Sequence, residues 1–288
     1  MMASLAASGG FVERADICVE QLGYRYPDVE GAALTDISLH IAQGEYVALL
    51  GHNGSGKSTL SRIIGGLTRP TSGRVTLAGL DASAPANRAR VRQMIGMIFS
   101  DPDNQIVATV VEDDVGWGLA ARGFPHEAIV QRTRDALAAV GLRGFYGRAP
   151  NELSGGQRQR LAIAGVLALE PSVLIADEPT AMLDPRSRVE VSALLRQLNR
   201  EHGLTVIHVT HLLEEAVAAH RVVILDGGRV TLDEPPAQAF ADLDRLRALR
   251  LVIPDVARLG EQLRALGVYT PAEALTPEAL VGALEQPR

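Results

Sequence analysis

The chain has 288 residues, 47% hydrophobic and 22% charged, with a net charge of −6 and one cysteine. Those proportions are ordinary for a globular protein, and the length holds one large domain plus an appendage. No apolar run reaches the roughly 18 residues of a spanning helix; the acidic balance without a long basic block argues against a nucleic-acid partner; a lone cysteine excludes an internal disulfide and suits a reducing compartment.

Met1 to Gly10 is small and polar-to-neutral, with no basic residue and only a short apolar run, so a flexible leader over 1–14 is expected rather than a signal peptide. From Ala15 to Ile41 the chain alternates and turns. The runs Asp16–Glu20, Gly23–Pro27 and Ile37–Ile41 predict the antiparallel flank of a sheet, with Cys18 in its core. Tyr46-Val47-Ala48-Leu49-Leu50 is a buried strand, followed by Gly51-His52-Asn53-Gly54-Ser55-Gly56-Lys57-Ser58-Thr59 and then a helical run. Strand, glycine-rich loop and helix N-terminus form the context of a phosphate-binding loop. Its glycines let successive N–H groups point at a nucleotide's phosphates, Lys57 reaches the outer phosphates, and the Ser58 hydroxyl is placed for Mg²⁺. Tyr26, on the approach to this loop, serves either packing or stacking on a purine.

Short strands are predicted at Val75–Ala78 and Met94–Phe99, then a mostly helical insertion from about residue 100 to 169. Ser172–Ala176 is a buried strand running into Asp177-Glu178. At a phosphate site the first acid holds Mg²⁺, usually through water, and the second polarises an attacking water. Ser187–Asn199 reads as an amphipathic helix closed by Gly203, Leu204–Val209 as a strand, and Val222–Val230 as a hairpin around Asp226-Gly227-Gly228. Strands alternating with helices predict an α/β fold with a mainly parallel sheet covered on both faces. Leu232–Pro236 reads as a rigid break before a separate helical region. There, Val256, Leu259, Leu263 and Leu266 share one helix face and Thr276-Pro277 opens another helix. None of the seven histidines forms a metal-ligand spacing such as HExxH, so Mg²⁺ with nucleotide is the one metal expected.

Leu153-Ser154-Gly155-Gly156-Gln157-Arg158-Gln159-Arg160 opens a further helix and makes a second anion site. One γ-phosphate is not easily wrapped by two such sites from the same chain. Together with the phosphate loop and Asp177-Glu178, this order of motifs resembles the ATP-binding-cassette ATPases from about Ile17 to Val230. The resemblance implies a head-to-tail pair of subunits enclosing two ATPs, with Ser154, Gly155, Gly156 and Gln157 facing the partner's nucleotide. It also implies that Tyr26 stacks on adenine, that Asp184 lies on the loop crossing the dimer interface, and that His211 stands near the γ-phosphate while His208 is structural. The sequence departs from the family at Ser100, where a glutamine touching Mg²⁺ and the attacking water is usual; Ser100 keeps an oxygen but loses reach, and Gln105 comes five residues too late to replace it unaided.

Tyr24-Arg25-Tyr26-Pro27, the run Pro102–Val107 with Glu112-Asp113-Asp114, and the stretch Leu246–Leu284 resemble the ATPase subunits of energy-coupling-factor transporters. His52-Asn53 and Met182-Leu183 resemble the first of that family's two ATPase types. The resemblance implies an ATP-hydrolysing peripheral subunit on the cytoplasmic side of the cell membrane, driving uptake of a vitamin or transition-metal ion. Its partners would be a second ATPase (a paralogue or itself), a transmembrane coupling protein and, through that, a substrate-binding membrane protein. The expected domains are an ATPase domain over 15–234 and a helical dimerisation region over 235–288. The acids at Asp101, Asp103, Glu112, Asp113 and Asp114 are expected to form an exposed receptor for an arginine of the coupling protein. The alternatives are the ATPase of a conventional binding-protein-dependent importer, or a soluble non-transport cassette protein. The DNA-acting and ribosome-acting cassettes usually carry a long coiled-coil insertion or a second cassette, which this chain lacks.

Overall fold

A computed structural model describes residues 16–268, 270–271 and 274–285; the expected leader over 1–14 lies outside them. In chain order the strands are β1 (Ile17–Tyr24), β2 (Leu34–Ile41), β3 (Tyr46–Leu50), β4 (Ser72–Leu77), β5 (Leu80–Asp81), β6 (Ile95–Ile98), β7 (Val173–Asp177), β8 (Thr205–Val209), β9 (Arg221–Asp226) and β10 (Arg229–Glu234). The helices are α1 (Lys57–Ile64), α2 (Arg88–Met94), α3 (Val111–Ala121), α4 (His126–Ala139), α5 (Gly155–Leu167), α6 (Pro185–His202), α7 (Leu213–Ala216), α8 (Pro236–Ala239), α9 (Leu243–Ala248), α10 (Asp255–Ala265) and α11 (Pro277–Glu285).

A six-stranded sheet in the order β10-β9-β3-β8-β7-β6 carries the phosphate loop. It is parallel except at β10, which returns from β9 through the Gly227-Gly228 turn, both residues at positive φ as a two-residue hairpin requires. Strands β3, β7 and β8 are buried along their whole length, as parallel strands covered on both faces must be. Period-two alternation then divides their side chains between two cores. Tyr46, Ala48 and Leu50 of β3 face the first core, together with Leu174 and Ala176 of β7. Val47 and Leu49 face the second, together with Leu60, Ile63 and Ile64 of α1.

The flank is a separate antiparallel sheet in the order β2-β1-β4-β5. The runs expected at 16–20 and 23–27 are one strand up to Tyr24, because Gln21 at φ 46 forms a bulge where the register with β2 slips. Cys18 is half-buried rather than in the core, since Ile17 and Val19 take the inward positions on either side of it.

Helices α3, α4 and α5 make up the insertion between β6 and β7. Past Pro235 the chain does not stand apart as a separate region. Phe240, Leu243, Leu246, Leu251 and Ile253 are buried in the same cluster as Tyr46 and Leu174. In α10 the small residues Ala257 and Gly260 face inward, while Leu259 and Leu266 of the expected apolar face are 48% and 81% exposed. Thr276 caps α11 by accepting the Ala279 N–H at 3.2 Å.

Candidate functional site

Sharp turns after β3, β7 and β8 bring the sequence motifs together at the carboxyl end of the sheet, where open α/β sheets place their ligands. After β3 the chain curls through Gly51, Gly54 and Gly56, all at positive φ. Gly56 is the N-cap of α1 at φ 106, and a Cβ there would lie 2.7 Å from Leu34 Cδ2 and 2.8 Å from the Ala33 carbonyl. Only glycine fits. The helix that follows has no side-chain cap and no acid in its first turn, so its N–H groups and its positive end remain available to an anion. Ser55 is fully buried within the loop, and its hydroxyl has no hydrogen-bond partner.

Lys57 is 4% exposed and donates to the carbonyls of Gly51 at 2.8 Å and His52 at 3.1 Å. Burial lowers its pKa, opposed by the charges of Glu178 and Asp177. The Ser58 hydroxyl donates to Asp177 Oδ1 at 3.0 Å and the Ser61 hydroxyl to Oδ2 at 3.4 Å. Burial raises the Asp177 pKa, with the Ser58 hydrogen bond opposing the rise. A hydroxyl beside a carboxylate that burial disfavours as an anion is a hard-oxygen donor set. Mg²⁺ takes such donors, one or two from protein and the rest from phosphates and water, so these residues fit it.

Glu178 follows β7 in a left-handed backbone at φ 51, its N–H donating to the Val209 carbonyl at 2.9 Å. Its carboxylate lies 4.0 Å from Lys57 Nζ and 3.6 Å from His211 Nδ1. Lys57, Ser58, Asp177, Glu178 and His211 are thus linked in one group. Tyr26, 40% exposed, joins it from the segment just after β1 by a 2.9 Å hydroxyl contact to Thr59 Oγ1, with its ring edge-on to Tyr24. Asn53 and Gly54 form the exposed crest of the loop.

The second motif stands on α5. Ser154 and Gln157 close a capping box: the Ser154 hydroxyl accepts the Gln157 N–H at 3.3 Å and Gln157 Oε1 accepts the Ser154 N–H at 2.8 Å. Gly156 lies so close to Ser187 that a Cβ would meet the Ser187 Cβ at 2.7 Å, and Gly155 faces Leu183. Those neighbours flank Asp184, which caps α6 by accepting the N–H groups of Arg186 and Ser187 at 3.0 Å each. Its hydrogen bonds to Ser187 lower its pKa. The helix therefore begins at Pro185 and not at Ser187, an Asp-Pro start visible in the sequence.

Ser100 sits half-buried in the bend after β6. Gln105 folds back instead of projecting: its amide accepts the Phe99 N–H at 2.8 Å and donates to the Met97 carbonyl at 3.1 Å. The acidic run divides. Glu112 and Asp113 are exposed, whereas Asp114 is 8% exposed and accepts the N–H groups of Val107 at 2.7 Å and Ala108 at 3.0 Å. Asp114 braces a loop and is no part of an exposed receptor. Asp103 pairs with Arg158 at 3.1 Å, and Asp101 accepts the Asp103 N–H at 3.0 Å.

Sequence patterns gave Asp226 a turn role only and passed over Arg250. His52 Nε2 lies 2.8 Å from Asp226 Oδ1, and Arg250 donates to the same oxygen at 3.1 Å. Two residues on, Val252 bridges to Leu212, beside His211.

The family model described as ABC transporter matches residues 34–181. The energy-coupling factor transporter ATP-binding protein EcfA1 of Symbiobacterium thermophilum is 48% identical over 277 residues, covering 94% of this chain and 96% of that protein. EcfA1 of Caldanaerobacter subterraneus subsp. tengcongensis is 44% identical, covering 86% and 90%. Among solved structures, CbiO1 from Clostridium perfringens, part of the ABC transporter complex CbiONQ, superposes with a TM-score of 0.76 at 36% identity over 87% of this chain and 99% of that one. A dimeric post-hydrolysis state of the ATP-binding cassette MJ0796 with ADP and Pi gives 0.68 at 33% identity over 76% and 98%. With the motifs, the cassette fold and these relatives in agreement, the chain belongs to the ABC-transporter family of ATP-hydrolysing cassettes, among the energy-coupling factor transporter ATP-binding proteins.

Proposed function

We propose that this chain is the ATP-hydrolysing subunit of an energy-coupling-factor importer, attached from the cytoplasmic side to membrane-embedded partners. The observation that carries this reading is the convergence of Lys57, Asp177, Glu178 and His211 on the phosphate loop. The loop N–H groups from Gly51 to Thr59 and the Lys57 ammonium bind the phosphates, and Tyr26 stacks on the adenine. Ser58 and Asp177 would hold Mg²⁺, with Ser100 an additional oxygen nearby in sequence to the strand end. Bound with the nucleotide, that ion neutralises charge on the outer phosphates. Glu178 accepts a proton from the attacking water, and His211 donates toward the γ-phosphate. Ser154, Gly155, Gly156 and Gln157 complete the site of a second ATPase across a head-to-tail interface that Asp184 borders.

Among the described residues no helix is long and apolar enough to cross a membrane; in this reading the membrane is spanned by a separate coupling protein, as the family resemblance implies. Glu112 and Asp113 offer it an acidic receptor next to Trp117, which is 61% exposed on the same helix. The cargo class that the family resemblance implies is a vitamin or a transition-metal ion. The test is the Glu178→Gln chain in its membrane complex. It should bind ATP, lose turnover and uptake, and accumulate as a closed ATPase dimer. Full turnover would refute the assignment, and copurification with an external binding protein would point to a conventional importer.

A further inference from the structure

Glu215 is 4% exposed, lies on the short helix α7, and belongs to none of the nucleotide motifs. It is nonetheless tied to two of them. Its Oε1 accepts the Thr180 hydroxyl and its Oε2 the Thr210 hydroxyl, each at 2.6 Å. Thr180 lies two residues beyond Glu178, and Thr210 immediately precedes His211. The Thr210 hydroxyl in turn accepts the Leu212 N–H at 3.1 Å, which fixes the backbone on the other side of His211. Behind the carboxylate, His208 Nε2 stands 3.4 Å from Oε2, and His208 Nδ1 is 2.9 Å from the Tyr46 hydroxyl at the base of the phosphate-loop strand.

Burying a carboxylate here is costly, and a well-packed apolar side chain of similar volume would serve stability as well or better. Burial alone would raise its pKa. The His208 hydrogen bond and charge, with the two threonine hydroxyls, outweigh that and hold it at about 2. What an apolar residue could not do is fix the distance between two loops. A carboxylate with two short hydrogen bonds in fixed directions does this. The loops so fixed carry Glu178 and His211, whose side chains lie 3.6 Å apart. Glu178 also has a left-handed backbone, a conformation that persists only where its surroundings over-determine it.

We infer that Glu215 is a positioning residue for ATP hydrolysis: through Thr180 and Thr210 it sets where Glu178 and His211 stand relative to each other. It touches no nucleotide. The inference rests on the catalytic reading of Glu178 and His211 given above, and its test separates the two.

The experiment compares kcat with nucleotide affinity in the full chain assembled as its ATPase, for Glu215→Gln, Thr180→Val, Thr210→Val and Thr210→Ser. A misplacement of about 1 Å in catalytic groups lowers turnover about a hundredfold. Glu215→Gln should therefore lose about ten- to a hundredfold in kcat, with ATP affinity held within about twofold. Each valine variant should show part of that loss, and Thr210→Ser, which keeps the donor, should recover turnover. A merely structural role would lower melting temperature without this split and without rescue by serine. Wild-type kcat in both valine variants, or kcat and affinity falling by like factors, would overturn the inference. Glu178→Gln is measured alongside. If it abolishes turnover while the threonine variants keep theirs, only the positioning role fails; if it keeps turnover, the catalytic reading falls first and this inference with it. Should Glu215→Gln not fold, the three threonine variants decide the matter.

Discussion

Lys57 and Glu178 face each other across 4.0 Å, while the same ammonium donates to the carbonyls of Gly51 and His52. The lysine therefore braces the loop that it closes, and in the proposed function the same ammonium also meets the phosphates. Charge-assisted hydrogen bonds are worth about 1.5–3 kcal/mol each. Lys57→Ala should weaken ATP binding by at least about tenfold and remove hydrolysis with it, unlike Glu178→Gln, which separates the two. Titration with a fluorescent ATP analogue checks this; wild-type affinity in Lys57→Ala would contradict it.

Acid should act on the fold through Glu215. Its carboxyl is held at about 2 in the folded chain against an ordinary 4.5. A depressed carboxylate contributes stability that is complete above its unfolded pKa and is lost as pH falls through the folded one. Between about pH 5 and pH 2 the advantage of the wild-type chain over Glu215→Gln should thus shrink, by at most about 3 kcal/mol. Urea midpoints of both proteins across that range measure it. A difference that does not change with pH would rule it out.

The C-terminal region should tolerate one truncation and not another. Phe240 and Leu246 are completely buried, and loss of a buried Phe alone costs about 3–5 kcal/mol. Ending the chain at Pro236 should therefore yield unstable or insoluble protein. Ending it at Pro254 removes α10 and α11, whose outward face carries Leu259, Leu266, Val281 and Leu284. That chain should keep nucleotide binding and associate less well with the second ATPase. Size-exclusion chromatography of both truncations, with and without the partner, would show unchanged assembly if the idea is wrong.

Charge reversal should separate docking from folding along α3. Glu112→Lys with Asp113→Lys should weaken copurification of the coupling protein by about tenfold and leave the ATPase of the isolated dimer near wild type. Asp114→Lys should instead lower the melting temperature, since Val107 and Ala108 lose their acceptor. Intact complexes after the double reversal would place the receptor elsewhere.

The phosphate loop, Asp177-Glu178 and the Ser154 motif were legible in the sequence because each is contiguous and flanked by strand or helix signals. Their geometry follows from where parallel strands end. What escaped was the tertiary use of side chains. A run of three acids looks the same whether all face water or one turns inward, so Asp114 was indistinguishable from its neighbours. The apolar stripe marked one face of α10, but not that the domain itself takes the small residues Ala257 and Gly260 and leaves Leu266 outside. Gly-Tyr-Arg-Tyr-Pro signalled a new element where Gln21 only kinks an existing one. Asp226 joins His52 across 174 residues and Glu215 joins Thr180 across 35. No periodicity encodes contacts over such separations.

The left-handed backbone at Glu178 sets catalysis against endurance. Glycine and asparagine adopt that conformation at less cost than glutamate does. A mutant library of this chain screened only for survival of heating should therefore enrich Glu178→Gly and Glu178→Asn, the very substitutions that discard the carboxylate proposed to polarise the attacking water. Winners of such a screen would be sturdy and inert. Thermostabilising this protein for practical use requires turnover to be scored in the same round as melting, or residue 178 to be held out of the library altogether.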